Sequence, residues 1–163
     1  MPELGLEIRP LTEAQRPWLT ALLAARWGGT TIVSAGRARD AAALPALVAS
    51  RGDGDPLGVA VLERRDDDYE LVVLEALRPG EGIGTALLDA TIARARRARC
   101  RRVWLVTTND NLRALRFYQR RGLRLVALRP GAVDAARELK PSIPLAGEDG
   151  IEIHDELELE VAL

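Results

Sequence analysis

Gly80, Gly82 and Gly84 occupy alternate positions in RPGEGIGTALL and lead directly into a helical pattern. Glycine lets backbone amides approach a ligand closely, and a helix start concentrates unsatisfied N–H groups and positive dipole, the chemistry that holds a phosphate. The run Pro79, Gly80, Glu81, Gly82, Ile83, Gly84 follows a strongly apolar strand pattern, so amides up to Thr85 would converge on one concavity suited to a pyrophosphate. Two familiar phosphate loops are not matched. Thr85 stands where G-x-G-x-x-G needs its third glycine, and no Gly-Lys-Ser/Thr follows. Taken alone, the glycines suit an unliganded strand-to-helix turn equally well. Further on, NLRALRFYQRRGL puts Asn111, Ala114 and Tyr118 at i, i+3 and i+7 on one helix face. Small Ala114 leaves room there, and Asn111 and Tyr118 bring polar groups to it. Phe117 reads as a core aromatic, whereas the Tyr118 hydroxyl needs a partner.

Other chemistries find little support. The single cysteine, Cys100, and the single histidine, His154, cannot build a Cys- or His-rich metal centre, so no metal is expected. His154, in IHDELE, reads as a surface residue. With 23 Lys+Arg against 24 Asp+Glu the net charge is -1, which argues against a protein that coats nucleic acid. The arginines of RARRARCRR read as a solvated helix end. No signal-like or membrane-length apolar run is present, so a soluble, cytoplasmic protein is expected. A length of 163 residues predicts one domain, residues 1–163.

The elements that position these residues follow from periodicity. LEIRPL, residues 4–11, alternates as a strand; Thr12 caps a helix carrying Trp18, Leu22, Leu23 and Trp27; Gly28-Gly29 ends it, and TTIVS is the next strand. After an Ala-rich turn, PALVAS and LGVAVLERR flank a hairpin tip at RGDGDP, and DDD turns the chain into YELVVLEAL. Residues 84–99 are helical, RRVWLVTT is a strand, Asn109-Asp110 caps a helix from about Asn111 to Arg121, and LRLVALRP is a further strand. Residues 132–140 add a short helix before KPSIPLAGEDG and the closing IHDELELEVAL. The class is α/β (α+β), with a mixed, mostly antiparallel sheet flanked by helices.

With both motifs placed, the chain resembles the GNAT superfamily of acyl-CoA-dependent N-acetyltransferases. The family pattern Q/R-x-x-G-x-G/A is similar to Pro79 through Gly84, with Pro79 where Gln or Arg is usual. The pattern N-x-x-A-x-x-F-Y-x-x-x-G-F is similar to Asn111 through Leu123, with Leu123 replacing the final aromatic. The resemblance implies a GNAT-like fold with a splayed central strand pair and acetyl-CoA as cosubstrate. Backbone groups of Leu74, Glu75 and Ala76 would bond the pantetheine arm, and amides of Gly80 to Thr85 the pyrophosphate. Tyr118 would protonate the departing thiolate. Glu75, ahead of Glu70 or ordered water, would take the amine proton. The acceptor would be a primary amine of a small molecule or peptide, bound near Trp27, Ser34 and the C-terminal segment. A homodimer is compatible with the sequence but not specified by it. The competing reading is a non-catalytic acyl-CoA sensor on the same fold.

Overall fold

The computed structural model describes residues 5–163. Its strands and helices, in chain order, are β1 (Leu6–Pro10), α1 (Arg16–Trp27), β2 (Thr31–Ser34), β3 (Arg37–Asp40), β4 (Ala46–Arg51), β5 (Gly58–Arg65), β6 (Asp68–Ala76), α2 (Ile83–Arg97), β7 (Arg102–Thr108), α3 (Leu112–Arg120), β8 (Arg124–Arg129), α4 (Ala132–Leu139) and β9 (Glu156–Ala162). Residue 4 of the expected first strand lies outside the described residues. No helix among the described residues is long and apolar enough to cross a membrane. The chain divides into two compact units.

The first unit holds the described residues through Pro17, Ala43–Val103 and Ala162–Leu163. Strands β1, β4, β5 and β6 pair antiparallel in that order. Thr12 caps a single 3-10 turn, Glu13–Gln15, and its amide donates to Gln15 Oε1 at 3.0 Å. Helix α2 lies against β4, β5 and β6, burying Ile83, Leu87, Leu88, Thr91 and Ala95, a stripe at three- and four-residue spacing. Each of its large aliphatic side chains contributes about 1.5–3 kcal/mol by leaving water. Close approach is made possible by Gly58. A Cβ there would stand 2.6 Å from the Glu75 carbonyl oxygen and 2.7 Å from Ile83 Cγ2. At the other end of β6, Asp68 accepts from Arg101 Nε at 2.6 Å and from Arg102 Nη2 at 3.1 Å. The Arg101 bond, chiefly, holds the Asp68 carboxyl below its ordinary 3.8.

The second unit holds Trp18–Ala42 and Trp104–Val161. Its part of α1 buries Leu19 and Leu23, so the core stripe includes Leu19, where helical spacing alone points to Trp18, Leu22, Leu23 and Trp27. Lys140 Nζ donates to the Trp27 and Thr31 carbonyls at 2.7 and 2.6 Å, closing the end of α1 onto β2. Strand β3 has no counterpart in the sequence pattern, because RARD lacks the apolar alternation of a strand. It pairs with β2 through a two-residue turn in which Ala35 (φ 50°) and Gly36 (φ 74°) are both left-handed, the type I′ geometry that matches strand twist. Strand β9 lies between β7 and β8 and pairs antiparallel with β8. Arg137 on α4 donates to the carbonyls of Pro144 (2.7 Å) and Ile153 (2.6 Å), tying the loop after α4 to that helix.

Candidate active site

Between β6 and α2 the backbone alternates the sign of φ. Gly80 is at φ 81° and Gly82 at φ 78°, ψ 5°, while Pro79 and Glu81 stay on the negative side. Alternation of this kind turns successive amides toward one side and forms an anion-binding nest. A Cβ at Gly80 or Gly82 would meet nothing within 4 Å, so conformation, not crowding, demands glycine at both. Gly82 is also the N-cap of α2 and supplies no side-chain cap. The first intrahelical bond runs from the Ala86 amide to the Gly82 carbonyl at 3.0 Å, which puts the Ile83, Gly84 and Thr85 amides ahead of the helical ladder. The helix dipole adds roughly half a positive charge at the same point. Pro79 fits this arrangement. Its ring fixes the negative φ that the alternation needs, and the donors begin one residue later. Glu81, the one acid in the turn, is tied through Oε1 to Arg51 Nη2 at 3.1 Å. These residues fit the pyrophosphate of a coenzyme A thioester.

Strand β6 runs into this turn and carries both candidate carboxylates. Its register with β5 shifts between Val61 and Leu62: Val61 faces Val73 but Leu62 faces Leu71, so Val72 is a bulged extra residue. In a regular strand Glu70 and Glu75, an odd number of positions apart, would point to opposite faces. The bulge corrects this. Glu70 lies opposite Glu63 and Glu75 opposite Val59, and both β5 partners share one face. Gly58, opposite Ala76, marks the other face as the one covered by α2, so the two glutamates share the face away from that helix. Glu70 is 2% exposed, whereas Glu75, near the glycine turn, is half-buried, as are Leu74 and Ala76.

The remaining expected residues stand on α3 in the second unit. Asn111, not Asn109-Asp110, is the N-cap: its Oδ1 accepts from the Ala114 amide at 3.1 Å. Its carbonyl oxygen is thereby engaged in starting the helix. Ala114 is half-buried, and Tyr118 is 8% exposed with its ring edge-on to Phe117 at 5.2 Å. Phe117 is less buried than a core reading implies, and the Arg121 guanidinium lies 5.0 Å from its ring centroid. Gly122, at φ 91°, ends the helix.

Asn109 takes a role that the sequence did not disclose. Its Nδ2 donates to the Glu152 carbonyl at 2.9 Å, and its Oδ1 accepts from the His154 and Asp155 amides, both at 3.0 Å. One side chain thus fixes the approach to β9. His154 is exposed as expected, yet its Nδ1 lies 2.9 Å from Asp134 Oδ1 and its Nε2 2.9 Å from Glu152 Oε2. The Glu152 contact first, then Asp134, raises its pKa above the ordinary 6.5. Among the described residues no group of His, Cys, Asp and Glu is arranged to hold a metal ion.

Residues 11–123 match the acetyltransferase (GNAT) family. YdhI from Bacillus subtilis (strain 168) is 37% identical over 150 residues, which cover 92% of this chain and 94% of that protein. A GNAT family acetyltransferase from Elizabethkingia anophelis, solved with acetyl-CoA bound, has a TM-score of 0.73 at 20% identity and covers 99% of this chain and 100% of its own. A Bacillus subtilis acetyltransferase solved with CoA has a TM-score of 0.68 at 20% identity, covering 99% of each chain. The common fold is a mixed α/β arrangement with a mostly antiparallel sheet flanked by helices. This chain belongs to the GNAT family of acetyltransferases, enzymes that take their acetyl group from acetyl-CoA.

Proposed function

We propose that the protein is a single-domain enzyme that moves the acetyl group of acetyl-CoA to a primary amine of a small molecule or peptide by direct attack, with Tyr118 as general acid. The observation that carries this reading is the glycine turn, whose alternating φ angles at Gly80 and Gly82 lead into a helix start with no side-chain cap. Amides from Gly80 to Thr85 hold the pyrophosphate, and backbone groups of Leu74 to Ala76 run beside the pantetheine arm. An amide there polarises the thioester carbonyl, a task suited to fixed dipoles in a dry cleft.

In the reaction the amine nitrogen forms a bond to the thioester carbon, the carbon–sulfur bond breaks, and the sulfur takes the Tyr118 hydroxyl proton. A phenol with an ordinary pKa of about 10 stays protonated near neutral pH until a thiolate requires the proton. The amine proton passes to a carboxylate. Glu75 is preferred over Glu70 because it is half-buried at the turn end of β6, whereas Glu70 is buried deeper along the strand. Asn111 and Ala114 shape the helix face that carries Tyr118.

The test is thiol release from acetyl-CoA across polyamines, aminoglycosides, amino acids and peptide N-termini. Amine-dependent release is expected, and Tyr118→Phe should lower kcat by about 10²-fold or more with little change in acetyl-CoA affinity. Tight coenzyme binding without turnover on any amine would instead identify an acyl-CoA sensor. An unchanged rate in Tyr118→Phe would remove this residue from the mechanism.

A further inference from the structure

An acid stands in the middle of the turn assigned to an anion. Glu81 lies between Gly80 (φ 81°) and Gly82 (φ 78°), directly before α2. A carboxylate beside a helix start is drawn to its free N–H groups, where it would compete with a pyrophosphate and repel it. Glu81 is held elsewhere. Its Oε1 accepts from Arg51 Nη2 at 3.1 Å, and among the described residues no amide of the turn donates to it. Arg78, the cation next to the turn, is exposed and pairs with no acid among the described residues.

The fold of the first unit, which contains both residues, explains why Arg51 reaches this carboxylate. Strands β4 and β6 each pair antiparallel with β5, so they run the same way, and Arg51 ends β4 at the end where β6 enters the glycine turn. Ala49 lies opposite Gly58, the residue that α2 packs against, and Arg51, two positions on, shares that face. The hairpin tip fixes its backbone: the Gly54 amide donates to the Arg51 carbonyl at 3.1 Å, and Gly52 is left-handed at φ 59°. A Cβ on Gly54 would stand 2.9 Å from the Arg51 oxygen, so glycine is needed there for the close approach. Both side chains of the pair are half-buried.

We propose that Arg51 is a positioning residue for coenzyme binding: it holds the Glu81 carboxylate off the amides of the turn and cancels its charge, so that the anion nest stays open to the pyrophosphate. This rests on the reading above that puts the pyrophosphate at the glycine turn.

The test is calorimetric binding of coenzyme A to the full chain, to Arg51→Gln, to Glu81→Gln and to the double variant. The pair is neutral in the wild type and the double variant, negative in Arg51→Gln and positive in Glu81→Gln. Arg51→Gln should weaken binding about fivefold, Glu81→Gln should tighten it by a similar factor, and the double variant should return to the wild-type constant. Both single differences should shrink at high salt. Weaker binding in both single variants would make the pair a structural tie and overturn the proposal. So would a loss in Arg51→Gln that the double variant does not restore, which would put the guanidinium on the coenzyme itself, and so would four equal constants. Gly82→Ala strains the turn and leaves both charges, which separates the proposal from the reading beneath it. Weaker binding there, with four equal constants in the charge series, retains the pyrophosphate assignment and removes the role of Arg51. Unchanged binding there, with opposite shifts in the two single variants, has the reverse meaning: the assignment to these amides fails and the charge cancellation stands. A wild type that does not bind coenzyme A overturns both.

Discussion

Gly58 sets how closely the first turn of α2 approaches the end of β6, and Gly58→Ala perturbs that distance directly. The new methyl would lie 2.6 Å from the Glu75 carbonyl oxygen, 2.7 Å from Ile83 Cγ2 and 3.1 Å from Leu87 Cδ1. Carbon atoms rest at about 3.5–4.0 Å, so the Ile83 methyl must retreat by roughly 1 Å. The Glu75 oxygen is backbone and cannot swing aside. Overpacking of this kind costs about 1–3 kcal/mol, partly offset by roughly 0.4–1 kcal/mol from a stiffer unfolded chain. For a net cost of about 1–2 kcal/mol, at about 2–4 °C per kcal/mol for a chain of this size, the thermal midpoint should fall by roughly 2–8 °C. Ile83 opens α2, so the displaced turn also moves the amides assigned to the pyrophosphate. Loss of one charge-assisted bond, about 1.5–3 kcal/mol, should weaken coenzyme A binding tenfold or more, read by calorimetry. Asp68→Asn, at the far end of β6, serves as a control that lowers stability without weakening the coenzyme. An unchanged dissociation constant in a destabilised Gly58→Ala would show that the start of α2 does not hold the ligand. If neither quantity changes, the close packing of α2 on β5 is itself refuted.

Asn111→Ala removes the bond to the Ala114 amide and should cost about 1 kcal/mol, a fall of a few degrees in midpoint; an unaltered midpoint with a raised KM for acetyl-CoA would instead make Asn111 a ligand contact. His154 has a folded-state pKa above its ordinary 6.5, so its contribution to stability is complete below 6.5 and is lost as pH rises through the folded value. His154→Gln should flatten that part of the stability profile, measured by thermal melts across pH, and an identical profile would show that the Glu152 and Asp134 contacts do not form in solution.

Much of the scaffold around the candidate site was legible because its signals are local. Alternation in YELVVLEAL, glycines at 80, 82 and 84, and the apolar stripe of the following helix each act within a few residues of themselves, and β6, the turn and α2 follow from them. What escaped depended on partners distant in sequence. The β6 bulge at Val72 is set by pairing with β5, and no letter in LVVLEA marks it, so the shared face of Glu70 and Glu75 could not be read. Asn109 resembles a helix cap because Asn caps helices, but its amide is taken by residues 152, 154 and 155. Strand β3 is four residues of RARD, held by pairing and by the left-handed Ala35-Gly36 turn rather than by hydrophobicity. Pro79, the departure from the family pattern, proved compatible with the turn because its fixed φ is the one the alternation requires.

Whether the backbone from Gly80 to Thr85 cradles the coenzyme's pyrophosphate is tested most directly by a crystal structure of the chain with coenzyme A. Pyrophosphate oxygens within about 3 Å of the Ile83, Gly84 and Thr85 amides are the predicted result. A coenzyme bound with its pyrophosphate away from this turn, or a turn whose amides rotate away when it binds, would contradict the assignment.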